Sequence, residues 1–296
     1  MSDLLERIAG APITWGVDAS PGWGFLMDRG RVLDEMTDVG LTATELGPDG
    51  WLPLDPDELA AFLEKHHQRI VGGFVPAVLY REPGIEDQLA YVERASGQLA
   101  RADARVMVLA ADSHSPGYDE SMEMSEDEWR IFLPNLERVI EIGWESGLRT
   151  TLHPHWGMAI ERRNHVERLL ESSDVDLCLD TGHMFLAGAD PVEIARMASS
   201  RVHHVHLKDV DGAFAEKVQS GAARFRQSVI DGMFVPLGRG AVDIEGTIRV
   251  LEGGGYRGWY VLEQDVSLAD DPREGAGPKA DAEASLHYLK TLATGL

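Results

Sequence analysis

The chain has 296 residues, of which 44% are hydrophobic and 26% charged, and this composition allows a large buried core. Its formal net charge of −23 disfavours nucleic acid and anionic membranes as partners, because an acidic surface repels phosphate groups. The single cysteine, Cys178, cannot form an intramolecular disulfide, so its count does not call for an oxidising compartment.

The N-terminal segment lacks the basic stretch and apolar run that are typical of a secretory signal. No stretch reaches the roughly 18 consecutive apolar residues that a membrane span needs. We therefore expect a cytoplasmic protein without membrane association, and we interpret residues 1–296 as one domain.

Short apolar runs alternate with longer amphipathic segments along the chain, and several runs are rich in Val, Ile or Leu, as in strands buried on both faces. The eight predicted strands are, in chain order, residues 8–15, 42–46, 70–79, 105–111, 149–153, 175–180, 202–207 and 259–263. The predicted helices are residues 31–39, 55–66, 85–101, 126–145, 165–171, 191–198, 244–252 and a final one over 280–292. This alternation predicts the α/β class and a single (β/α)8 TIM barrel with a C-terminal helix outside it.

Four stretches lack a regular pattern, and each is predicted to lie on the C-terminal face of the barrel. They are residues 16–30, 112–125, 209–240 and 267–278. Because a TIM barrel builds its active site on that face, we interpret these loops as lids or walls around a substrate.

Side chains that can bind a metal end four successive strands. His153, Asp180, His206 and Glu263 stand at comparable heights on the fifth to eighth predicted strands. A lone histidine at a strand end is more often a polar rim residue, but two imidazoles and two carboxylates together favour a metal site. The mixed nitrogen and oxygen set favours Mn²⁺ or Co²⁺, with Fe²⁺, Mg²⁺ and Zn²⁺ as alternatives.

A second group of ionisable residues follows the same strand ends. His155, His183 and Lys208 are candidates for acid, base or substrate-binding roles, and the two histidines could instead orient metal ligands. Asp209 is interpreted as a loop cap or a partner of Lys208. His203 and His204 flank His206, and strand alternation requires at least one of them to point out of the barrel, which disfavours a function for them.

The remaining candidates are Trp15, Glu45 and Arg239. Trp15 ends the first predicted strand and is predicted to pack against a sugar, with a core position as the alternative. Glu45 is a candidate for proton transfer and for binding substrate hydroxyls, or else a core carboxylate paired with a basic residue. Arg239 lies between two glycines and either reaches the substrate or belongs to a plain turn. These glycines do not follow a strand and open a helix, so we exclude a dinucleotide site.

Several motifs, in order along nearly the whole chain, resemble the xylose-isomerase-like TIM-barrel superfamily of sugar isomerases, epimerases and inosose dehydratases. They are APITW at 11–15, TELGPDG at 44–50, GFVP at 73–76, DTGH at 180–183, HVHLKD at 204–209, GMFVP at 232–236 and Glu263. The fourth and fifth motifs are shared widely in the superfamily, whereas ELGP and FVP favour the inosose dehydratase branch. Epimerases of the superfamily typically have a glutamate where this chain has His153, which argues against epimerisation.

The resemblance implies a small polyol or sugar ketone as substrate. It implies a metal-dependent lyase of inositol catabolism that converts 2-keto-myo-inositol (inosose) to a trihydroxycyclohexane-dione through a metal-stabilised enediolate. The alternatives are a metal-dependent sugar or inosose isomerase or epimerase, an enzyme that cleaves sugar C-glycosides by β-elimination, and a non-catalytic sugar- or metal-binding protein. Endonuclease activity is disfavoured by the acidic surface. The sequence leaves open whether the protein forms a homo-oligomer.

Overall fold

The computed structural model describes residues 3–18, 20, 22–115 and 118–295. Its centre is a closed barrel of eight parallel strands, which confirms the predicted TIM-barrel fold. The barrel strands are β1 (Ile8–Gly10), β2 (Thr44–Glu45), β3 (Ile70–Ala77), β4 (Val106–Ala111), β5 (Arg149–Leu152), β6 (Asp176–Asp180), β7 (Val202–Leu207) and β10 (Trp259–Leu262). Around the barrel their order is β1-β10-β7-β6-β5-β4-β3-β2.

Helices surround the barrel and cover its apolar outer face. They are α1 (Arg29–Val39), α2 (Pro56–Lys65), α3 (Ile85–Arg101), α4 (Glu126–Glu145), α5 (Arg163–Ser172), α6 (Thr181–Leu186), α7 (Pro191–Met197), α8 (Gly212–Gln219), α9 (Phe225–Ile230), α10 (Ile244–Gly253) and α11 (Pro278–Ala293). The local sequence explains where several of these helices begin. Asp55 caps α2 ahead of Pro56, and Ser125 and Glu128 form a capping box on α4.

The first predicted strand is too long. After β1 the chain turns at Pro12 into a 3₁₀ helix, Pro12–Trp15, because proline has no N–H to donate to a sheet ladder. Gly16 ends this turn with a φ of 76°, a left-handed conformation that favours glycine. The change of direction carries the side chain of Trp15 away from the barrel mouth and towards α1.

The predicted irregular stretch 209–240 contains regular structure. It forms α8, α9 and an antiparallel pair of short strands, β8 (Asp209–Val210) and β9 (Phe234–Val235). The Asp209 carboxylate accepts hydrogen bonds from the backbone amides of Gly238, Gly240 and Val242, which agrees with its interpretation as a loop cap. Within the predicted loops, Ala19, Pro21, Pro116 and Gly117 lie outside the described residues.

The apolar core has two parts. The larger part fills the space between the barrel and its helices, and small clusters, such as Val106 with Val108 and Cys178, are separate from it. The C-terminal helix α11 packs against α1, in agreement with its predicted position outside the barrel. In the part of the chain that the structure describes, no helix combines the length and apolar character needed to cross a membrane.

Candidate active site

The ends of β5, β6, β7 and β10 bring His153, Asp180, His206 and Glu263 together. Each of the four offers one ligand atom, and these atoms lie within 4.8 Å of one another. His153 Nε2 is 3.4 Å from Asp180 Oδ2, and His206 Nδ1 is 2.8 Å from Glu263 Oε2. Two imidazole nitrogens and two carboxylate oxygens at such separations form a donor set that fits a divalent cation. We call these four residues the cluster.

Asp180 shows why the cluster fits a metal. Its Oδ1 accepts the backbone N–H of His183 at 2.7 Å and caps α6, which fixes the carboxylate. Among the described residues, the buried Oδ2 of Asp180 has no hydrogen-bond donor, and the buried Nδ1 of His206 has no hydrogen-bond partner. Because an unsatisfied buried polar atom is costly, two such atoms in one cluster favour a bound cation.

Lys208 lies beside the cluster and is its cationic neighbour. Its buried Nζ is 3.0 Å from Glu263 Oε2, 3.0 Å from Asp265 Oδ1 and 3.4 Å from Asp180 Oδ2. Burial alone would lower the pKa of Lys208, but the surrounding carboxylates outweigh burial and raise it above its usual value. Lys208 is therefore an ammonium that compensates buried negative charge.

A second group, Glu45, His204 and His206, lies inside the barrel next to the cluster. Glu45 Oε1 is 2.9 Å from His204 Nε2 and 3.0 Å from His206 Nε2. Burial alone would raise the pKa of Glu45, but the two imidazoles outweigh burial and lower it to about 2. Glu45 is thus a carboxylate paired with basic residues, and it also lines the cavity described below.

His155, just after β5, and His183, in α6, are in ring contact, with their planes tilted by 33°. Their ring centroids are 3.7 Å apart, and His155 Nδ1 is 2.6 Å from the carbonyl oxygen of Trp156. Since a carbonyl only accepts, Nδ1 carries the hydrogen and Nε2 carries the lone pair. Burial, followed by the neighbouring His153, lowers the pKa of His155 to about 3, so the His155 ring is neutral at neutral pH.

Two residues of the cluster, His153 and Glu263, line a cavity of about 310 Å³, which is within the roughly 300–1,000 Å³ typical of small-ligand sites. Among the described residues, Lys208 is the only Lys or Arg that lines it. Five carboxylates line it as well: Asp18, Glu45, Asp49, Glu263 and Asp265. Hydroxyl and aromatic groups complete the wall, from Ser20, Trp23, Phe74, Tyr91, Tyr118 and Phe225.

Five predicted site residues do not line this cavity: Asp180 and His206, which are fully buried members of the cluster, and Trp15, Arg239 and His183. Trp15 is fully buried, and its Nε1 donates to Glu35 Oε2 at 2.9 Å, so it is a packing residue and not a sugar platform. Arg239 is exposed, and its charge interacts with Asp281 near the start of α11. His183 is buried behind His155, with its Nε2 3.0 Å from Lys208 Nζ.

Asp265 and His204 are site residues that the sequence analysis did not select. Asp265 comes just after β10, and burial, partly opposed by Lys208, raises its pKa to about 7. No sequence signal distinguished Asp265 from an ordinary loop aspartate. For His204 a signal existed, because residues two apart on a strand share a face and His206 points inward. His203 then points outward, towards Asp176.

Comparison with known proteins agrees with this architecture. Residues 33–292 match the family model described as "Xylose isomerase-like TIM barrel". An inosose dehydratase from Lacticaseibacillus casei is 31% identical over 269 residues, covering 88% of this chain and 89% of the relative. An inosose dehydratase from Geobacillus kaustophilus (strain HTA426) is 29% identical over 296 residues, covering 96% of both chains.

Solved structures share the fold at low sequence identity. The IOLI protein with a bound zinc atom has a TM-score of 0.70 and 14% identity, over 98% of both chains. The probable 3-DHS dehydratase AsbF of Bacillus anthracis has a TM-score of 0.70 and 15% identity, over 96% of this chain and 98% of that one. The chain belongs to the xylose isomerase-like TIM-barrel family and is an enzyme related to the inosose dehydratases.

Proposed function

We propose that the protein is a metal-dependent dehydratase that removes water from 2-keto-myo-inositol and releases a trihydroxycyclohexane-dione. The observation that carries this proposal is the cluster of His153, Asp180, His206 and Glu263 at the cavity, in a chain about 30% identical to inosose dehydratases over most of its length. The excess of carboxylates in the cavity wall supports a neutral polyol, because it repels phosphorylated or carboxylated substrates.

The cluster residues would hold the metal, and Mn²⁺ or Co²⁺ suits their mixed nitrogen and oxygen atoms. A divalent cation bound there supplies Lewis-acid polarisation of a ketone, which acidifies the neighbouring C–H group. The protein contributes the fixed geometry of the four ligand atoms, in particular through the α6 cap on Asp180.

We assign the removal of the α-proton to His155. Its Nδ1 hydrogen is bound to the Trp156 carbonyl, which leaves the lone pair on Nε2, and the residue lines the cavity. Contact with His183 at 3.7 Å between centroids holds the ring in place. A neutral imidazole with one anchored nitrogen is suited to accept a proton at the other.

We assign the departure of the β-hydroxyl to Lys208 and Asp265, whose Nζ and Oδ1 lie 3.0 Å apart at the cavity wall. The C–O bond breaks as the pair delivers a proton to the leaving oxygen, which departs as water. The electron pair of the broken C–H bond forms a C=C bond whose α-carbon carries a hydroxyl, and this enol tautomerises to the dione. The proton on His155 returns to solvent, and the Lys208–Asp265 pair regains a proton from solvent. The sum is substrate minus one water.

The experiment that tests this function is product analysis. Metal-reconstituted protein is incubated with 2-keto-myo-inositol, and the product is examined by mass spectrometry. We expect loss of one water molecule and a dione. A product of unchanged mass would identify an isomerase or epimerase instead, and binding without turnover would identify a non-catalytic binding protein.

A further inference from the structure

Two imidazoles share one carboxylate oxygen inside the barrel. Glu45 Oε1 is 2.9 Å from Nε2 of His204 and 3.0 Å from Nε2 of His206. The two histidines are fully buried, and the Glu45 side chain is 5% exposed. β7 is three strands away from β2 around the closed barrel, and Glu45 reaches the imidazoles through the barrel interior.

This arrangement determines which nitrogen of His206 carries a hydrogen. A carboxylate only accepts hydrogen bonds, so both Nε2 atoms are donors to Glu45. An imidazole with its hydrogen on Nε2 has the lone pair on Nδ1. His206 Nδ1 faces Glu263 Oε2 at 2.8 Å and Asp180 Oδ2 at 3.8 Å, which is the side of the ring that belongs to the cluster.

Without Glu45 the opposite tautomer gains an advantage. A hydrogen on Nδ1 would lie on the side of Glu263 Oε2, 2.8 Å from this nitrogen, and would take the Nδ1 lone pair from the cluster. A hydrogen that stayed on Nε2 would, in contrast, be buried without an acceptor, which is unfavourable. Glu45 is therefore positioned to keep the metal-binding face of His206 free.

We propose that Glu45 is a positioning residue for the metal site: its Oε1 binds the Nε2 hydrogen of His206, with His204 as the second donor that holds the carboxylate. This proposal rests on the metal site of the proposed function. It gives Glu45 a role through His206 and not through the substrate. The pattern matches the general rule that a metal-binding histidine donates its other ring nitrogen to a carboxylate.

Cobalt binding without substrate provides the test. Co²⁺ is titrated into metal-free wild-type protein and the Glu45→Gln variant, and the dissociation constant and the visible absorption spectrum are recorded. We expect Glu45→Gln to weaken Co²⁺ binding by about 10–100-fold and to change the spectrum. Glu35→Gln is the matched control, because Glu35 is a buried carboxylate with two donors, Trp15 and Arg31, away from the cluster. Its Co²⁺ affinity should equal that of the wild type.

A second measurement remains informative if Glu45→Gln does not fold. In Zn²⁺-loaded wild-type protein, ¹⁵N NMR of the histidine rings reports which nitrogen of His206 carries the hydrogen. We expect a hydrogen on Nε2 and none on Nδ1. A hydrogen on Nδ1 would overturn the proposal, and so would a Glu45→Gln variant that binds Co²⁺ as tightly as the wild type.

The result also separates this proposal from the proposed function. If Glu45→Gln weakens Co²⁺ binding but the wild-type protein does not dehydrate 2-keto-myo-inositol, only the proposed dehydratase function is contradicted. An active dehydratase in which Glu45→Gln raises KM with unchanged Co²⁺ affinity would contradict the positioning role alone, because Glu45 would then contact the substrate.

Discussion

The ammonium of Lys208 and the carboxylate of Glu263 form a buried ion pair, with Nζ 3.0 Å from Oε2. Burial raises the pKa of Glu263, but the neighbouring His206 and Lys208 outweigh burial and hold this pKa well below its usual value. Lys208 Nζ is also 3.0 Å from Asp265 Oδ1. The single ammonium of Lys208 therefore compensates the negative charge of both carboxylates.

Removing the charge of Lys208 should destabilise the metal-free protein. Lys208→Met keeps the length of the side chain but leaves buried carboxylates without their cation, and breaking such an arrangement costs about 3–5 kcal/mol. Urea unfolding of the metal-free protein measures the loss. Addition of Mn²⁺ should recover part of it, because the ion supplies positive charge at the same carboxylates.

Lys279→Met is the control for this prediction. Lys279 binds Asp38 at 2.8 Å near the surface, where an ion pair contributes about 0–1 kcal/mol. Equal losses of unfolding free energy in the two variants would contradict the special role of Lys208.

Replacing His155 should reduce turnover more than binding. His155→Asn removes the proposed proton acceptor, and loss of a general base lowers kcat by about 10²–10⁴-fold. Steady-state kinetics with 2-keto-myo-inositol separates kcat from KM. His203→Asn is the control, since His203 lies on the outer face of β7 beside Asp176. A His155→Asn variant with wild-type kcat would remove His155 from the chemistry.

Trp15 should matter for stability and not for substrate affinity. Trp15→Phe keeps the aromatic volume but removes the Nε1–H that Glu35 accepts at 2.9 Å. Because Glu35 is buried, we expect a loss of about 1–3 kcal/mol in unfolding free energy. KM should be unchanged. A raised KM with unchanged stability would restore Trp15 as a substrate contact.

Much of the fold could be predicted because the barrel strands and most helices have strong periodic patterns. The bounds of α3 and α4 agree with the prediction, and those of β7 do as well. The short helices α6, α8 and α9 were missed. Each has only six to eight residues, too few for a helical period to be distinguished from loop sequence.

The positions of candidate site residues could be predicted from sequence where the barrel topology alone determines them. Ends of parallel strands meet at one mouth of a barrel, which places His153 and His206 near each other without any knowledge of loops. Trp15 and Arg239 lie where the chain changes direction, and such changes depend on tertiary contacts. Trp15 follows the turn at Pro12, and Arg239 lies within the loop held by Asp209. Sequence patterns do not encode these directions.

The most direct test of metal-dependent dehydration at the cluster is the rate of dione formation from 2-keto-myo-inositol by chelator-treated protein, before and after addition of Mn²⁺ or Co²⁺. The metal-free wild type should be inactive and should recover with metal. Asp180→Asn should not recover, although its amide oxygen can still cap α6, because the Oδ2 ligand is lost. Full activity of the metal-free wild type, or of Asp180→Asn, would contradict the account.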